Sequence, residues 1–303
     1  MDENNPELAA LLSELQQKTG IAFSIDAGNP AGEEETLRQL KKLVSGETRQ
    51  AGKADLFRGI LTDTLAPSDA ARECKRLHID ETQPCRVWLV KVAPKDFVNA
   101  EYFLNTLFGS SLSSVLFPIS RTELVYLAAA RPKEKREDLT ETAETILNTL
   151  NTEAMANASV SFCVTARPAA DLAASYRELS LAMKIGSIFF ASRRIFVYDE
   201  LGIARLIYEL PLSICKNYLK EVYQGHEPLA YDEETFAVIQ ALFDNGLNIS
   251  EAARKLYLHR NTLVYRLEKI SKATGLDLRS FDDAVTFKIA VMIQDYVNYL
   301  EKQ

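Results

Sequence analysis

The stretch Asn248–Gly275, NISEAARKLYLHRNTLVYRLEKISKATG, decides how the end of this 303-residue chain folds. Ala252, Ala253 and Leu256 share one side of a short helix. Asn248 or Ser250 is its candidate N-cap, because a short polar side chain accepts hydrogen bonds from first-turn N–H groups. Tyr257 and Leu258 lead to His259 and a second helix, in which Leu263, Leu267 and Ile270 recur at i, i+4 and i+7. Gly275 is placed to end it as a left-handed residue. The expectation is helix, short turn, longer helix. Tyr257 stands where many such turns carry glycine, so a positive φ there would be strained.

At roughly 100° per residue, Asn261, Tyr265, Glu268 and Lys272 lie opposite the apolar stripe, with Thr262 and Lys269 beside them. His259 and Arg260 sit at the exposed N-terminal end. From such positions a recognition helix reaches base edges in the major groove. Arg260 can bond guanine bidentately and Asn261 adenine, while Thr262, Tyr265, Lys269 and Lys272 suit phosphates or thymine methyls. Arg266 flanks the buried stripe, leaving two readings open: a phosphate contact, or an ion pair within its own domain. Charge agrees with a nucleic-acid surface. Asn248–Arg279 holds seven Lys or Arg against three Asp or Glu, a net of +4 that leaves −11 for the rest of a chain whose total is −7. A basic island in an acidic protein is the footprint of a local DNA-binding module.

Moving outward, 47% hydrophobic and 25% charged residues describe a globular protein. The acidic start, MDENNPELAA, has no secretory pattern, and the longest apolar run, Leu124–Ala130, is too short to span a bilayer. A cytoplasmic protein without membrane partners is expected. Cys74, Cys85, Cys163 and Cys215 are scattered, without a CxxC pair, and read as buried apolar residues; no metal site and no cofactor are expected. Phosphate-loop, dinucleotide, zinc-protease and nucleophile-elbow motifs are absent from the sequence.

Earlier in the chain, Leu8, Leu11, Leu12 and Leu15 predict an amphipathic helix over 6–19, packed on its own domain or serving a subunit contact. IAFSID follows as a short strand, then a loop and a helix through Leu43. A helix is expected over 53–65, and β-rich or helical runs then alternate as β-α-β-β-α-β-α-β from RVWLVKV (86–92) to RIFVYD (194–199). That order, with a central hairpin, predicts an antiparallel sheet covered by helices on one face, a ferredoxin-like or nucleotidyl-cyclase-like plan. From Leu201 onward the pattern is helical only, which puts the domain boundary near Glu200 or, alternatively, at 225–231. The fold class is therefore α+β: a sheet domain followed by an all-helical domain with the helix-turn-helix. Expected segments are 1–52 (mixed, with a possible oligomerisation role), 53–200 (sheet domain) and 201–303 (helical, motif about 248–275). In the last helix, SFDD at 280–283 suggests a capping box, and Val285, Ile289, Ile293, Tyr296, Val297 and Leu300 suggest packing against the motif, with a subunit interface as the alternative.

The run LNISEAARKLYLHRNTLVYRLEKISKATGLDLRSFDDAVTFKIAVMI, with its core HRNTLVYRLEKI and following TGLDL, resembles the C-terminal helix-turn-helix of PucR and CdaR-type bacterial transcriptional regulators. Its AA…L…R.TL spacing is also similar to the DNA-binding end of Fis. DLAASYRELSLAMKIG and RIFVYDELG resemble the GGDEF-like domain preceding this module in the CdaR type. The resemblance covers roughly residues 55–293. It implies an effector-responsive, oligomeric regulator that binds double-stranded operator DNA as a homodimer or higher homo-oligomer, through His259, Arg260, Asn261, Thr262, Tyr265, Arg266, Lys269 and Lys272. It leaves the small-molecule effector open. Active cyclases of the resembling fold carry a GG(D/E)EF hairpin; here the corresponding turn reads Pro118, Ile119, Ser120, Arg121, Thr122, without the glycines. The domain is expected to be catalytically degenerate and the protein not an enzyme; the alternative readings are a nucleotide-binding GGDEF-like protein with residual activity and a protein-interaction module that uses the helix-turn-helix.

Overall fold

A computed structural model describes Ser13 and residues 51–109, 113–223 and 233–302. Apart from Ser13, the helix expected over 6–19 lies outside the described residues, as do the strand and helix expected between 21 and 43 and the loop at 225–231. The chain divides into two compact units: one runs through Met183 and takes up Arg194–Asp199, the other comprises Lys184–Arg193 and Glu200 onward.

The first unit is built on a five-stranded sheet. Its strands are β1 (Cys85–Val92), β2 (Ser114–Pro118), β3 (Glu123–Ala129), β4 (Ala158–Phe162) and β5 (Ile195–Val197), in the order β2-β3-β1-β4-β5. Its helices are α1 (residues 51–61), α2 (Pro67–Arg76), α3 (Phe97–Phe108), α4 (Arg136–Thr152) and α5 (Leu172–Phe189), the last of which continues beyond the unit's limit at Met183. β2 and β3 form the predicted hairpin, with Val115 opposite Leu127 and Phe117 opposite Val125. β3 and β4 flank β1 antiparallel, Trp88 lying opposite both Tyr126 and Phe162. This is the split β-α-β arrangement that the element order implied. Two points differ from the expectation. β5 joins β4 in parallel, as a strand reached through a helical crossover does. The sheet is also covered on both faces rather than one.

Alternation along the strands shows why. Trp88, Val90, Leu124, Val160 and Phe162 face α3 and α4, where Ala100, Leu104, Leu139, Ala143 and Ile146 complete one core. Trp88 Nε1 donates to the carbonyl of Leu139 at 3.1 Å, so this buried indole keeps its hydrogen bond. On the reverse face Val87, Leu89, Phe117, Val125, Leu127 and Ser161 are buried as well. There Ser161 donates to the carbonyl of Leu179 in α5 at 3.0 Å, and Arg58 of α1 donates to the carbonyl of Pro118 at 2.8 Å. The run of adjacent apolar residues from Val87 to Val90 is the signature of a strand buried on both sides.

The second unit contains α6 (Ile203–Tyr208), α7 (Leu212–Tyr223), α8 (Glu233–Asp244), α9 (Ile249–Lys255), α10 (Arg260–Thr274) and α11 (Phe281–Glu301). It has two cores. Val238, Leu242, Ala252, Ala253, Leu263 and Leu267, with Phe287 from α11, join α8 to the motif helices. Ile207, Cys215 and Leu219 pack against Ala290, Ile293, Tyr296 and Val297 farther along α11. The last helix therefore packs against the motif only through its first half. Its buried stripe runs through Ala284, Phe287, Ala290 and Ile293, leaving Val285 exposed against expectation. The expected capping box at Ser280 is absent too. Its side chain makes no cap bond, while Asp283 Oδ2 accepts from the N–H of Asp277 at 2.9 Å.

Candidate nucleic-acid interface

α9 and α10 form the helix-turn-helix. Asn248 caps α9: its Oδ1 accepts from the N–H groups of Ser250 and Glu251 at 3.1 and 3.2 Å, satisfying two donors a helix start leaves free. Ala252 and Ala253 are buried, and their small side chains let α9 lie close to its neighbours. At the other end the N–H of Leu258 bonds the carbonyl of Ala253 at 2.9 Å, and the turn residue Tyr257 has φ 54°, the left-handed conformation the sequence flagged as strained.

α10 is capped by His259, a role the sequence reading did not assign. Its Nδ1 accepts from the N–H of Asn261 at 3.2 Å, which requires the neutral ring with its hydrogen on Nε2. The signal was available, since a polar side chain directly before a helical pattern is a cap candidate, although histidine is a rarer cap than Ser, Thr, Asp or Asn. Gly275 closes the helix with φ 78°, as predicted.

Leu263, Leu267 and Ile270 are buried, which turns the opposite face of α10 outward. His259, Arg260, Asn261, Thr262, Tyr265, Lys269 and Lys272 are all exposed. They form one continuous surface from the helix N-terminus to its last turn. Arg266 is not part of it. Only 24% of its side chain is exposed, and its guanidinium is ion-paired with Glu234 of α8, the within-domain partner that was one of its two readings.

The partners of the seven basic residues of 248–279 separate them into two groups. Arg254 pairs with Glu251, Lys255 with Asp244, Arg266 with Glu234, and Arg279 with Asp277 and Glu268. The Arg279 guanidinium holds the Asp277 carboxyl below its ordinary range. Arg260, Lys269 and Lys272 have no acidic partner among the described residues. The cations on the outward face of α10 are thus the ones left unneutralised, with Glu268 as the acidic residue among them.

In the first unit, a cavity of about 230 Å³ opens where β1, β2 and β3 end away from the hairpin, with Phe57, Val115 and Leu127 among its apolar walls and His78 and Gln83 among its polar ones. No described helix is long and apolar enough to cross a membrane.

Residues 235–293 match the model of the PucR C-terminal helix-turn-helix domain, a span that begins in α8 and ends in α11. The chain is 25% identical over 230 residues to the carbohydrate diacid regulator of Escherichia coli K12, covering 73% of this chain and 60% of that protein. It is 26% identical over 129 residues to the purine catabolism regulatory protein of Bacillus subtilis 168, covering 42% and 24%. The proline-responsive transcriptional activator PutR of the same organism is 28% identical over 126 residues, covering 36% and 28%. This chain thus spans 60% or less of the length of these relatives. A regulator of polyketide synthase expression from Bifidobacterium adolescentis superposes over 80% of this chain and 91% of its own at 17% identity, with a TM-score of 0.35, too loose to identify a shared fold. Residues 235–293 form a PucR C-terminal helix-turn-helix domain, and the chain as a whole is similar to regulators of the PucR and CdaR type.

Proposed function

We propose that this protein is a sequence-specific, DNA-binding transcriptional regulator that uses α10 as its recognition helix and is not an enzyme. The observation that carries the reading is the division of the basic residues of 248–279: Arg254, Lys255, Arg266 and Arg279 are ion-paired, and Arg260, Lys269 and Lys272 on the outward face of α10 are not. Unpaired cations along one helix face are free to displace counterions from DNA, the main source of affinity for a duplex. Arg260 and Asn261 are assigned to base edges, with His259, Thr262 and Tyr265 close by; Lys269 and Lys272 are assigned to phosphates. One such helix supplies limited affinity, so binding by a homodimer or higher homo-oligomer to paired half-sites is part of the reading.

The preceding domain, residues 53–200, is read as a degenerate GGDEF-like module that senses an effector or dimerises. Its sheet order supports this, as does the hairpin turn Ile119–Thr122, which has no glycine to let a phosphate approach the backbone. The cavity beside Phe57, Val115 and Leu127 offers room for a small molecule. Residues 1–52 are assigned to oligomerisation.

The test is selection of bound duplexes from a random-sequence pool by the full chain. A shared repeat among the recovered sequences supports the reading, and a salt-insensitive failure to retain any DNA refutes it. On the recovered duplex, Arg260→Ala should reduce discrimination against base changes by about 1–3 kcal/mol.

A further inference from the structure

Tyr257 combines two unfavourable features at the edge of the proposed DNA surface. Its φ is 54°, and 97% of the residue is open to solvent. A bulky side chain in the left-handed region is an outlier, because Cβ crowds the neighbouring carbonyl. The conformation is imposed from both sides: Leu256 and Leu258 pack into the motif's core, and the N–H of Tyr257 closes α9 on the carbonyl of Arg254 at 3.1 Å. Gly275 meets the same demand at the end of α10 without a side chain, and Leu247, with φ 65°, packs its partly buried side chain against the same core. Tyr257 does neither, and its ring and hydroxyl make no hydrogen bond or ring contact among the described residues. The free protein thus gains nothing visible from this side chain. A strained residue on a binding surface is where function is met at the expense of stability.

Tyr257 lies three residues before Arg260 and two before the cap of α10, beside a helix N-terminus that favours anions. We infer that Tyr257 is a DNA-contacting residue of the turn, its phenolic hydroxyl donating to a backbone phosphate next to the groove that α10 enters. The assignment rests on the reading of α10 as the recognition helix. A tyrosine–phosphate bond fixes the protein's register on the duplex without reading a base.

The experiment compares the full-length wild type with Tyr257→Phe, Tyr257→Gly and Arg260→Ala on a duplex recovered by the wild type from a random pool, and on its scrambled counterpart. Both Tyr257 variants are expected to bind both duplexes about tenfold more weakly, the loss of one hydrogen bond to a charged group. Tyr257→Gly should also raise the melting temperature by about 2–4 °C as the left-handed strain is relieved. Wild-type affinity in both Tyr257 variants, with discrimination lost in Arg260→Ala, overturns the assignment and leaves the recognition helix standing. If the wild type shows no salt-dependent DNA binding, the underlying reading falls and the assignment with it. An affinity loss that follows a loss of self-association in light scattering assigns Tyr257 to a contact between copies and overturns it as well.

Discussion

Asn248, His259 and Gly275 fix the ends of the motif helices by three different means: an amide oxygen, a ring nitrogen and a backbone without Cβ. His259→Ala removes the acceptor for the N–H of Asn261 and should lower stability by about 1 kcal/mol, whereas His259→Asn restores an acceptor and most of that loss. Urea unfolding without DNA measures this apart from any effect on binding. Arg266 and Lys269 provide the contrasting pair. Lys269→Ala is expected to reduce the slope of log affinity against log salt by about 1 and leave stability alone. Arg266→Ala breaks the pair with Glu234, so it should leave that slope unchanged and change stability by no more than about 1 kcal/mol, the range for pairs open to solvent. Equal effects of the two on the salt slope would return Arg266 to the DNA surface.

Among the elements, α10 depends on its buried stripe to aim its outward face. Leu267 is fully buried between α8, α9 and α11, and Leu267→Ala should cost about 2–5 kcal/mol. DNA affinity should fall with the loss of fold, which circular dichroism and binding at matched temperature would show together. Retained stability would mean that the site collapses around the smaller side chain. In the first unit, β1 shows how one strand serves two cores: its even positions face α3 and α4 and its odd positions face α1 and α5. The pair of Arg167 with Glu178, bidentate at 2.6 and 2.8 Å, holds the segment after β4 against α5.

For the whole molecule, all four cysteines are free and buried, three in the first unit and Cys215 in the second. Burial pushes the Cys85 thiol up to about 11; burial and the Glu178 carboxylate also raise that of Cys163. At pH 8 the native protein should therefore resist alkylation at every cysteine, because the reactive thiolate is scarce and shielded. In denaturant the four should label at the rate of free thiols. Mass spectrometry along a urea titration would show whether Cys215 becomes reactive with the others or apart from them, reporting the two units separately. Rapid labelling of Cys85 or Cys163 in the native state would contradict their burial.

The sequence by itself determined the element order, the hairpin, the motif's helices and the outward set on α10. Each depends on local patterning: apolar spacing, a cap, a glycine stop, and a run of basic residues. Leu263, Leu267 and Ile270 established which side of α10 is buried, and so which residues remain outside. Only the tertiary structure decided what depends on residues distant in sequence. The pairing of Arg266 with Glu234, 32 positions away, gave one of the motif's seven cations an acidic partner. The parallel addition of β5, the second covered face of the sheet and the division of α11 between two cores follow from which elements meet in space. A side chain's periodicity states which way it faces along its own helix or strand. Its partner is set by packing and charge neutralisation between segments, and those energies have no representation in any one stretch of the chain.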